Sequence, residues 1–141
     1  MCLNRGIMSE IDIPYILFIL EDEIEMKVAV IGSRNLVVGD LSKYLPAETD
    51  EIVSGGARGI DSCAAEYAKS HGLKLTEFKP DYDRFGRGAP LKRNITIIEY
   101  ADRVLAFWDG KSHGTKFVIE ECKKRGVPVQ VFLYDPTKKN E

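Results

Sequence analysis

Two glycine-rich turns contain the residues with the clearest chemical potential. The first turn, residues 53–61, reads VSGGARGID and connects a β-branched segment directly to a helical pattern. Glycines let backbone N–H groups approach a phosphate closely, and the first N–H groups of a helix lack partners within it. This order predicts an anion site, unless the glycines only form a tight turn against the sheet. The candidate binding residues are Gly55, Gly56, Arg58, Gly59 and Asp61.

The second turn follows the apolar run at residues 104–108 and again precedes a helical pattern. It supplies one cation, two hydroxyl groups and backbone N–H groups that a helix start leaves free. Two such turns at one edge of a sheet would suit a ligand with a phosphate and a sugar. The candidate residues of the second turn are Gly110, Lys111, Ser112, Gly114 and Thr115. A third small turn follows the first apolar run and contributes Gly32, Ser33 and Arg34.

Single side chains add specific roles to these turns. Arg93 and Asn94 open a later helical pattern, and we expect Arg93 to supply positive charge to an anionic ligand. Asp61 either complements a helix dipole or accepts a hydrogen bond from a ribose hydroxyl, because a carboxylate beside a phosphate would repel it. Tyr82 and Trp108 are the rings suited to stacking on a base. A tryptophan at a strand end, however, is also typical of a core.

The elements that must position these residues alternate along the chain. Apolar, β-rich runs predict strands at residues 28–31, 51–54, 73–78, 104–108 and 127–133. Helical spacing predicts helices at residues 36–45, 60–71, 91–100 and 117–125. We therefore predict an α/β fold, a Rossmann-like, doubly wound and mainly parallel five-stranded sheet with helices on both faces. All three turns then lie at the carboxyl ends of the strands, where such sheets bind ligands.

Composition limits the classes of partner. A net charge of −2 over 141 residues argues against a protein that coats long nucleic acid through a broad basic face. Three cysteines without short spacing and two histidines form no recognisable zinc ligand set, so we expect no metal and no cofactor. The cysteines are expected to be reduced, as in a cytoplasmic protein.

We expect three parts in the chain, an N-terminal extension (residues 1–25), one Rossmann-like domain (26–135) and a polar tail (136–141). Residues 11–20 are mostly apolar but too short to span a bilayer, which needs roughly twenty residues, so no membrane partner is expected. Met26 directly precedes the first strand, which suggests that it is the true initiator. Alternatively, residues 13–20 form an edge strand or a contact in a homo-oligomer.

Four motifs in order resemble the SLOG superfamily, which includes DprA/Smf proteins and LOG phosphoribohydrolases, and within it the YspA-type, YpsA-related branch. They are VIGSR (30–34), VSGGARGID (53–61), KRN (92–94) and FWDGKSHGT (107–115). The resemblance covers residues 27–133. It implies a Rossmann-like domain that binds a nucleotide or a nucleotide-derived ligand, as a sensor or a processing protein.

The same resemblance implies two alternative functions. LOG enzymes hydrolyse the N-glycosidic bond of nucleoside monophosphates with an arginine and a glutamate, the latter in a PGGxGTxxE loop. Arg93 is similar to that arginine by position, whereas Val118 stands where the glutamate would be. The acids considered as substitutes are Asp61 and Glu120, so the candidate catalytic residues are Arg93, Asp61 and Glu120. DprA-like proteins imply the other alternative, binding of single-stranded nucleic acid.

Overall fold

The structure, a computed structural model, describes residues 25–134. The expectations about the N-terminal extension and the polar tail therefore fall outside the described residues. The described chain forms one sheet of five strands in the order β3-β2-β1-β4-β5, and every neighbouring pair is parallel. The strands are β1 (Met26–Gly32), β2 (Thr49–Ser54), β3 (Lys74–Glu77), β4 (Arg103–Trp108) and β5 (Val129–Leu133). The predicted α/β, doubly wound, parallel sheet is confirmed.

Helices cover both faces of this sheet. They are α1 (Ile60–Ser70), α2 (Tyr82–Phe85), α3 (Ala89–Tyr100) and α4 (His113–Arg125), with short 3-10 turns at Leu41–Lys43 and Gly86–Gly88. Helix α1 packs on one face, in a core cluster with Val28, Ile52 and Phe107. Helices α3 and α4 pack on the other face, in a second cluster with Ala29 and Val104. Because helices bury both faces of the central strands, these strands are continuous apolar runs in the sequence.

The prediction of a helix at residues 36–45 is wrong. Leu36 and Val38 are buried while Val37 is 73% exposed, an alternation that belongs to extended chain rather than to a helix. The segment then makes a single 3-10 turn, whose N-cap Asp40 accepts a hydrogen bond from the N–H of Ser42 at 3.0 Å. The apolar residues thus reach the core without a helix, and the connection from β1 to β2 is a loop with one turn.

Other boundaries shift by a few residues. Strand β5 begins at Val129, after Pro128, and lies at the edge of the sheet as the proline suggested. Helix α3 includes Pro90 in its first turn, where a proline costs no helical hydrogen bond. The first long helix ends at Ser70, one residue earlier than predicted, and His71 at its C-cap is exposed and stacks on the Tyr67 ring with centroids 3.9 Å apart.

The sheet contains one topological switch point. The chain leaves the central strand β1 towards β2 and β3, with α1 on one face, and then crosses to β4 through α3 on the other face. Connections on opposite faces diverge between β1 and β4, and this opens a crevice at the carboxyl ends of these strands.

Within residues 25–134, no helix has the length and apolar character that crossing a bilayer requires.

We predict that Phe107→Ala lowers the free energy of unfolding by about 3–5 kcal/mol, because a large side chain is removed from a packed interior. Phe107 is fully buried and stacks on Phe132, with ring centroids 5.0 Å apart. Leu133→Ala, at a side chain that is 71% exposed, is the control and should change stability by only about 0.5 kcal/mol. Urea unfolding followed by circular dichroism measures both, and equal effects would contradict the assigned core.

Candidate functional site

A cavity of about 410 Å³ occupies the switch point, and all three predicted turns contribute to it. Its volume lies within the usual range of small-molecule sites, roughly 300–1,000 Å³. Ten of the residues proposed from the sequence line it: Gly32, Ser33, Arg34, Gly55, Asp61, Arg93, Asn94, Ser112, Gly114 and Thr115. Apolar side chains also line it, among them Pro90, Ile97 and Val118.

Six of the proposed residues do not line this cavity: Gly56, Arg58, Gly59, Gly110, Lys111 and Glu120. Glu120 is exposed on α4, and its carboxylate lies 3.9 Å from the Lys116 ammonium. Arg58 and Gly56 line a second, more open cavity, which shares Arg34 with the first. Lys111 is exposed to solvent. Sequence order alone could not separate these groups, because neighbours in a turn face in different directions.

The glycine-rich turn after β2 is closed by its own hydrogen bonds. The N–H of Gly56 donates to the Ser54 hydroxyl at 3.1 Å, and the N–H of Ala57 donates to Asp61 Oδ2 at 3.0 Å. These two N–H groups are therefore already satisfied, although the motif suggested that they would hold an anion. Gly59 serves a close approach instead, since a Cβ there would lie 2.5 Å from the Arg34 carbonyl oxygen.

Arg93 connects three segments at the cavity. Its Nη1 donates to the carbonyls of Gly55 at 2.6 Å and Phe78 at 3.1 Å, and its Nε donates to Asn94 Oδ1 at 2.9 Å. Its other terminal nitrogen, Nη2, makes no hydrogen bond within residues 25–134. Burial lowers the pKa of Arg93, and the nearby Asp61 carboxylate acts in the opposite direction. Arg93 is thus a half-buried cation at the cavity.

Asp61 brings a buried carboxyl group to the same wall. It is only 8% exposed, and among the described residues just one of its oxygens accepts a hydrogen bond. Burial raises the pKa of Asp61, while the Ala57 N–H and the Arg93 guanidinium act in the opposite direction. A carboxyl group with a raised pKa in a cavity is suited to accept or donate a proton.

Asp109 shapes the turn after β4. Its Oδ1 accepts hydrogen bonds from the N–H groups of Lys111 at 2.9 Å and Ser112 at 2.8 Å. The Ser112 hydroxyl also lies 2.8 Å from the Ser33 hydroxyl, which joins this turn to the one after β1. Burial tends to raise the pKa of Asp109, but these hydrogen bonds prevail and lower it to about 2. The sequence-based site omitted Asp109, although an aspartate before glycine is a known turn signal.

The start of α4 presents unsatisfied donors to the cavity. Thr115 is 6% exposed, and its hydroxyl group makes no hydrogen bond within residues 25–134. The N–H groups of Gly114 and Thr115 likewise have no partner in this part of the chain, since the first N–H to close the helix is that of Lys116. A helix start with N–H groups and a hydroxyl that lack partners in this part of the chain is complementary to an anionic group.

The two rings considered for base stacking occupy different environments. The Trp108 indole N–H donates to the Ser112 carbonyl at 3.0 Å, and its ring packs against the core cluster under α3 and α4. Tyr82 is 57% exposed.

Across the described range, no three histidine, cysteine, aspartate or glutamate side chains come together as metal ligands would.

We predict that Gly55→Ala displaces Arg93. A Cβ at Gly55 would lie 2.5 Å from Arg93 Nη1 and 3.0 Å from Asp61 Oδ2, so we expect a loss of stability of about 1–3 kcal/mol. Gly39→Ala is the matched control, because a Cβ there meets no atom within 4 Å and should leave stability unchanged or raise it by up to about 1 kcal/mol. Chemical denaturation compares the two, and a neutral Gly55→Ala would contradict this packing.

A second prediction concerns pH. Because the pKa of Asp109 is lowered in the folded state, its stabilisation is complete above about pH 4 and declines as the pH falls towards 2. Asp109→Asn should therefore cost about 1–2 kcal/mol at pH 7 and progressively less below pH 4. Asp83→Asn, which removes an exposed carboxylate from α2, is the control. Urea unfolding from pH 7 to pH 3 measures the difference, and a cost independent of pH would refute the assignment.

Comparison with known proteins agrees with this architecture. The sequence profile of the YspA, cpYpsA-related SLOG family matches residues 26–85. The Gene 61 protein of Mycobacterium phage D29 is 37% identical over 118 residues, which cover 73% of this chain and 93% of the phage protein.

Among solved structures, the fold is similar to the X-ray structure of DNA processing protein A (DprA) from Streptococcus pneumoniae. The TM-score is 0.59 at 22% identity, over 76% of this chain. The chain spans about half the length of that structure, so this likeness concerns the fold alone. With the family profile, the phage relative and the five-stranded parallel sheet in agreement, the chain belongs to the YspA, cpYpsA-related SLOG family.

Proposed function

We propose that the cavity binds a nucleotide or a nucleotide-derived ligand, with a phosphate at the start of α4. The observation that carries this proposal is a set of donors that make no hydrogen bond within residues 25–134: the Thr115 hydroxyl and the N–H groups of Gly114 and Thr115. Arg93, which also lines the cavity, adds a charged donor, Nη2, that makes no hydrogen bond within residues 25–134. Charge-assisted hydrogen bonds of this kind favour a phosphate over a neutral ligand.

A sugar fits the acidic side of the cavity better than a second anion does. Asp61 is buried beside Gly55, and its second oxygen is free to accept a hydrogen bond within the described chain. A ribose hydroxyl can donate to this oxygen, whereas a phosphate would be repelled by it. The pairing of a guanidinium with a neighbouring carboxylate therefore supports a ligand that contains both a phosphate and a sugar. The apolar wall of Pro90, Ile97 and Val118 leaves room for a less polar part.

We predict that Arg93→Ala weakens binding of such a ligand by roughly 10- to 100-fold, as expected for loss of a charged hydrogen bond to phosphate. The probes are the four 5′-nucleoside monophosphates, ADP-ribose and NAD, screened by thermal shift and native mass spectrometry and titrated by calorimetry. The control is Arg125→Ala, at the far end of α4, where the guanidinium pairs with Glu99 and Glu121 on the surface.

Two outcomes would count against the proposal. One is an Arg93→Ala variant that binds as tightly as the wild-type chain. The other is an absence of binding to every small probe together with tight binding of a single-stranded oligonucleotide. That second result would favour nucleic-acid binding, the role that the name DNA processing protein A suggests for the structurally similar protein.

A second candidate function is hydrolysis of an N-glycosidic bond in a nucleoside monophosphate. It is favoured by Asp61, whose carboxyl group has a raised pKa and lies close to Arg93 at the cavity. In this reaction water adds to C1′ of the ribose, and the base departs with the electrons of the broken bond and takes up a proton. The transition state resembles an oxocarbenium ion, which a carboxylate stabilises, and a carboxylate also activates the water.

For this second function we predict release of free base and ribose 5-phosphate from at least one monophosphate, measured by liquid chromatography. Asp61→Asn should lower the rate by roughly 100-fold or more while ligand binding persists, because it removes the proton acceptor but keeps a similar shape. Full activity in Asp61→Asn would exclude Asp61 from the chemistry. Binding without any turnover in the wild-type chain would leave the site as a sensor.

A further inference from the structure

A second cavity opens beside the first, at the turn that precedes α1. Its volume is about 490 Å³, and the residues that line it are Arg34, Gly56, Ala57, Arg58 and Ser62. Two of them are arginines and none is acidic, whereas Asp61 and Asp109 are among the residues that line the first cavity. A concave surface lined by cations attracts anions, so the second cavity is suited to a negatively charged group.

Both arginines lack a counter-charge in the described chain. Within residues 25–134, the Arg34 and Arg58 side chains make no hydrogen bond and no salt bridge, and both are exposed. The nearby Lys79 and Glu77 offset each other, because a Cβ at Gly56 would lie 3.3 Å from Lys79 Cε and 3.6 Å from Glu77 Cδ. The positive charge of the two guanidinium groups is therefore available to a ligand.

Backbone packing brings the two arginines to one cavity. A Cβ at Gly59 would lie 2.5 Å from the Arg34 carbonyl oxygen, so the turn after β1 directly contacts the start of α1. Gly59 also has a φ of +75°, a conformation that favours glycine. Arg58 immediately precedes this contact and lines the same cavity as Arg34. The fold thus places the two cations together, although they belong to different turns.

The start of α1 adds a backbone donor to the second cavity. The first N–H that closes α1 is that of Cys63, which donates to the Gly59 carbonyl at 3.1 Å. The Ser62 N–H, one residue earlier, makes no hydrogen bond within residues 25–134, while the Ser62 hydroxyl donates to the Ala57 carbonyl at 3.3 Å. An N–H group at a helix start favours an anion, in agreement with the two arginines.

The two cavities adjoin at Arg34 and Ala57, which line both of them. The Ala57 N–H donates to Asp61, the carboxyl group that we assign to the ribose. Gly114 and Thr115, which we assign to the phosphate, line only the first cavity. The second cavity is therefore reached from the position of the ribose and not from that of the first phosphate.

We propose that the second cavity binds a second phosphate group, carried on a ribose hydroxyl of the same ligand. The inference rests on the proposed nucleotide-binding function and narrows the ligand to nucleotides with phosphates on both sides of the ribose, such as nucleoside 3′,5′-bisphosphates. Arginine is suited to this role because its planar guanidinium donates two parallel hydrogen bonds to phosphate oxygens. A 3′-phosphate is either terminal or the link to a second nucleotide, and both present anionic oxygens to Arg58.

The experiment is calorimetric titration with the 5′-monophosphate, the 5′-diphosphate and the 3′,5′-bisphosphate of each of the four nucleosides. We expect the bisphosphate of the preferred nucleoside to bind roughly 5- to 30-fold more tightly than its monophosphate, because hydrogen bonds to charged groups are strong but exposed charges are partly screened. The 5′-diphosphate carries the same number of phosphates on one side of the ribose and should not show this gain. A 5′-phosphorylated dinucleotide distinguishes a linking 3′-phosphate, which it contains, from a terminal one.

Arg58→Ala should remove the gain and leave monophosphate binding unchanged, because Arg58 does not line the first cavity. Lys79→Ala is the matched control. It removes one positive charge from an exposed side chain that lies beside Gly56 but lines neither cavity, so it should preserve the preference for the bisphosphate.

The inference fails if the bisphosphate binds no more tightly than the monophosphate, or if the 5′-diphosphate shows the same gain, because the number of charges would then explain the affinity. It also fails if Arg58→Ala retains the gain, or if Lys79→Ala loses it to the same extent. Binding of monophosphates to the wild-type chain with any of these results leaves the proposed function intact. An absence of binding of every nucleotide to the wild-type chain would overturn the proposed function and this inference together.

Discussion

The hydrogen bonds of Arg93 across Gly55 hold the candidate site together. One terminal nitrogen donates to the carbonyls of Gly55 and Phe78, the residues that directly follow β2 and β3, while the side chain itself belongs to α3. A single guanidinium thus joins two strand ends on one side of the switch point to the helix that crosses to the other side. The contact is feasible only because Gly55 has no Cβ, which would lie 2.5 Å from Nη1. Position 55 is therefore constrained by the arginine.

This arrangement also sets the electrostatics of the cavity. Arg93 and Asp61 are both withdrawn from water, so burial disfavours the charged form of each, and each partly restores the charge of the other. Removing one of them would leave the other as a poorly compensated buried charge. A ligand that brings a phosphate to Arg93 and a hydroxyl to Asp61 would satisfy both groups. Because Arg93 and Asp61 affect each other's charge, a variant that removes either side chain alters both ligand binding and proton transfer at this site.

The part of the cavity formed by the turn after β4 is organised by different hydrogen bonds. Asp109 gathers the N–H groups of its own turn, and the Ser112 and Ser33 hydroxyl groups connect that turn to the end of β1. Within residues 25–134 the N–H groups of Gly114 and Thr115 make no hydrogen bond, because the first N–H groups of a helix have no acceptor within it. The wall therefore has donors that are fixed in place before a ligand arrives, which lowers the cost of binding.

Sequence alone determined the class of fold and most of the residues at the cavity. Buried strands appear as apolar runs and α1 as a helical spacing, because both patterns arise from local geometry. The rule that ligands bind at the carboxyl ends of parallel strands then placed Ser33, Asp61, Arg93 and Thr115 together. The same local reasoning failed at residues 36–45, where apolar residues that loosely fit a helix are buried by extended chain.

Tertiary structure alone decided which side chains of each turn reach the cavity. Arg58 and Lys111 share turns with Gly55 and Ser112 but face away, because a turn directs neighbouring side chains to different sides. The hydrogen bond between the Ser112 and Ser33 hydroxyl groups, which joins two turns distant in the chain, is likewise not indicated by any local pattern. The N–H groups of Gly56 and Ala57 proved to be used by Ser54 and Asp61, which no spacing of glycines could indicate. Contacts between segments distant in the chain are set by packing, and packing is not encoded in local spacing.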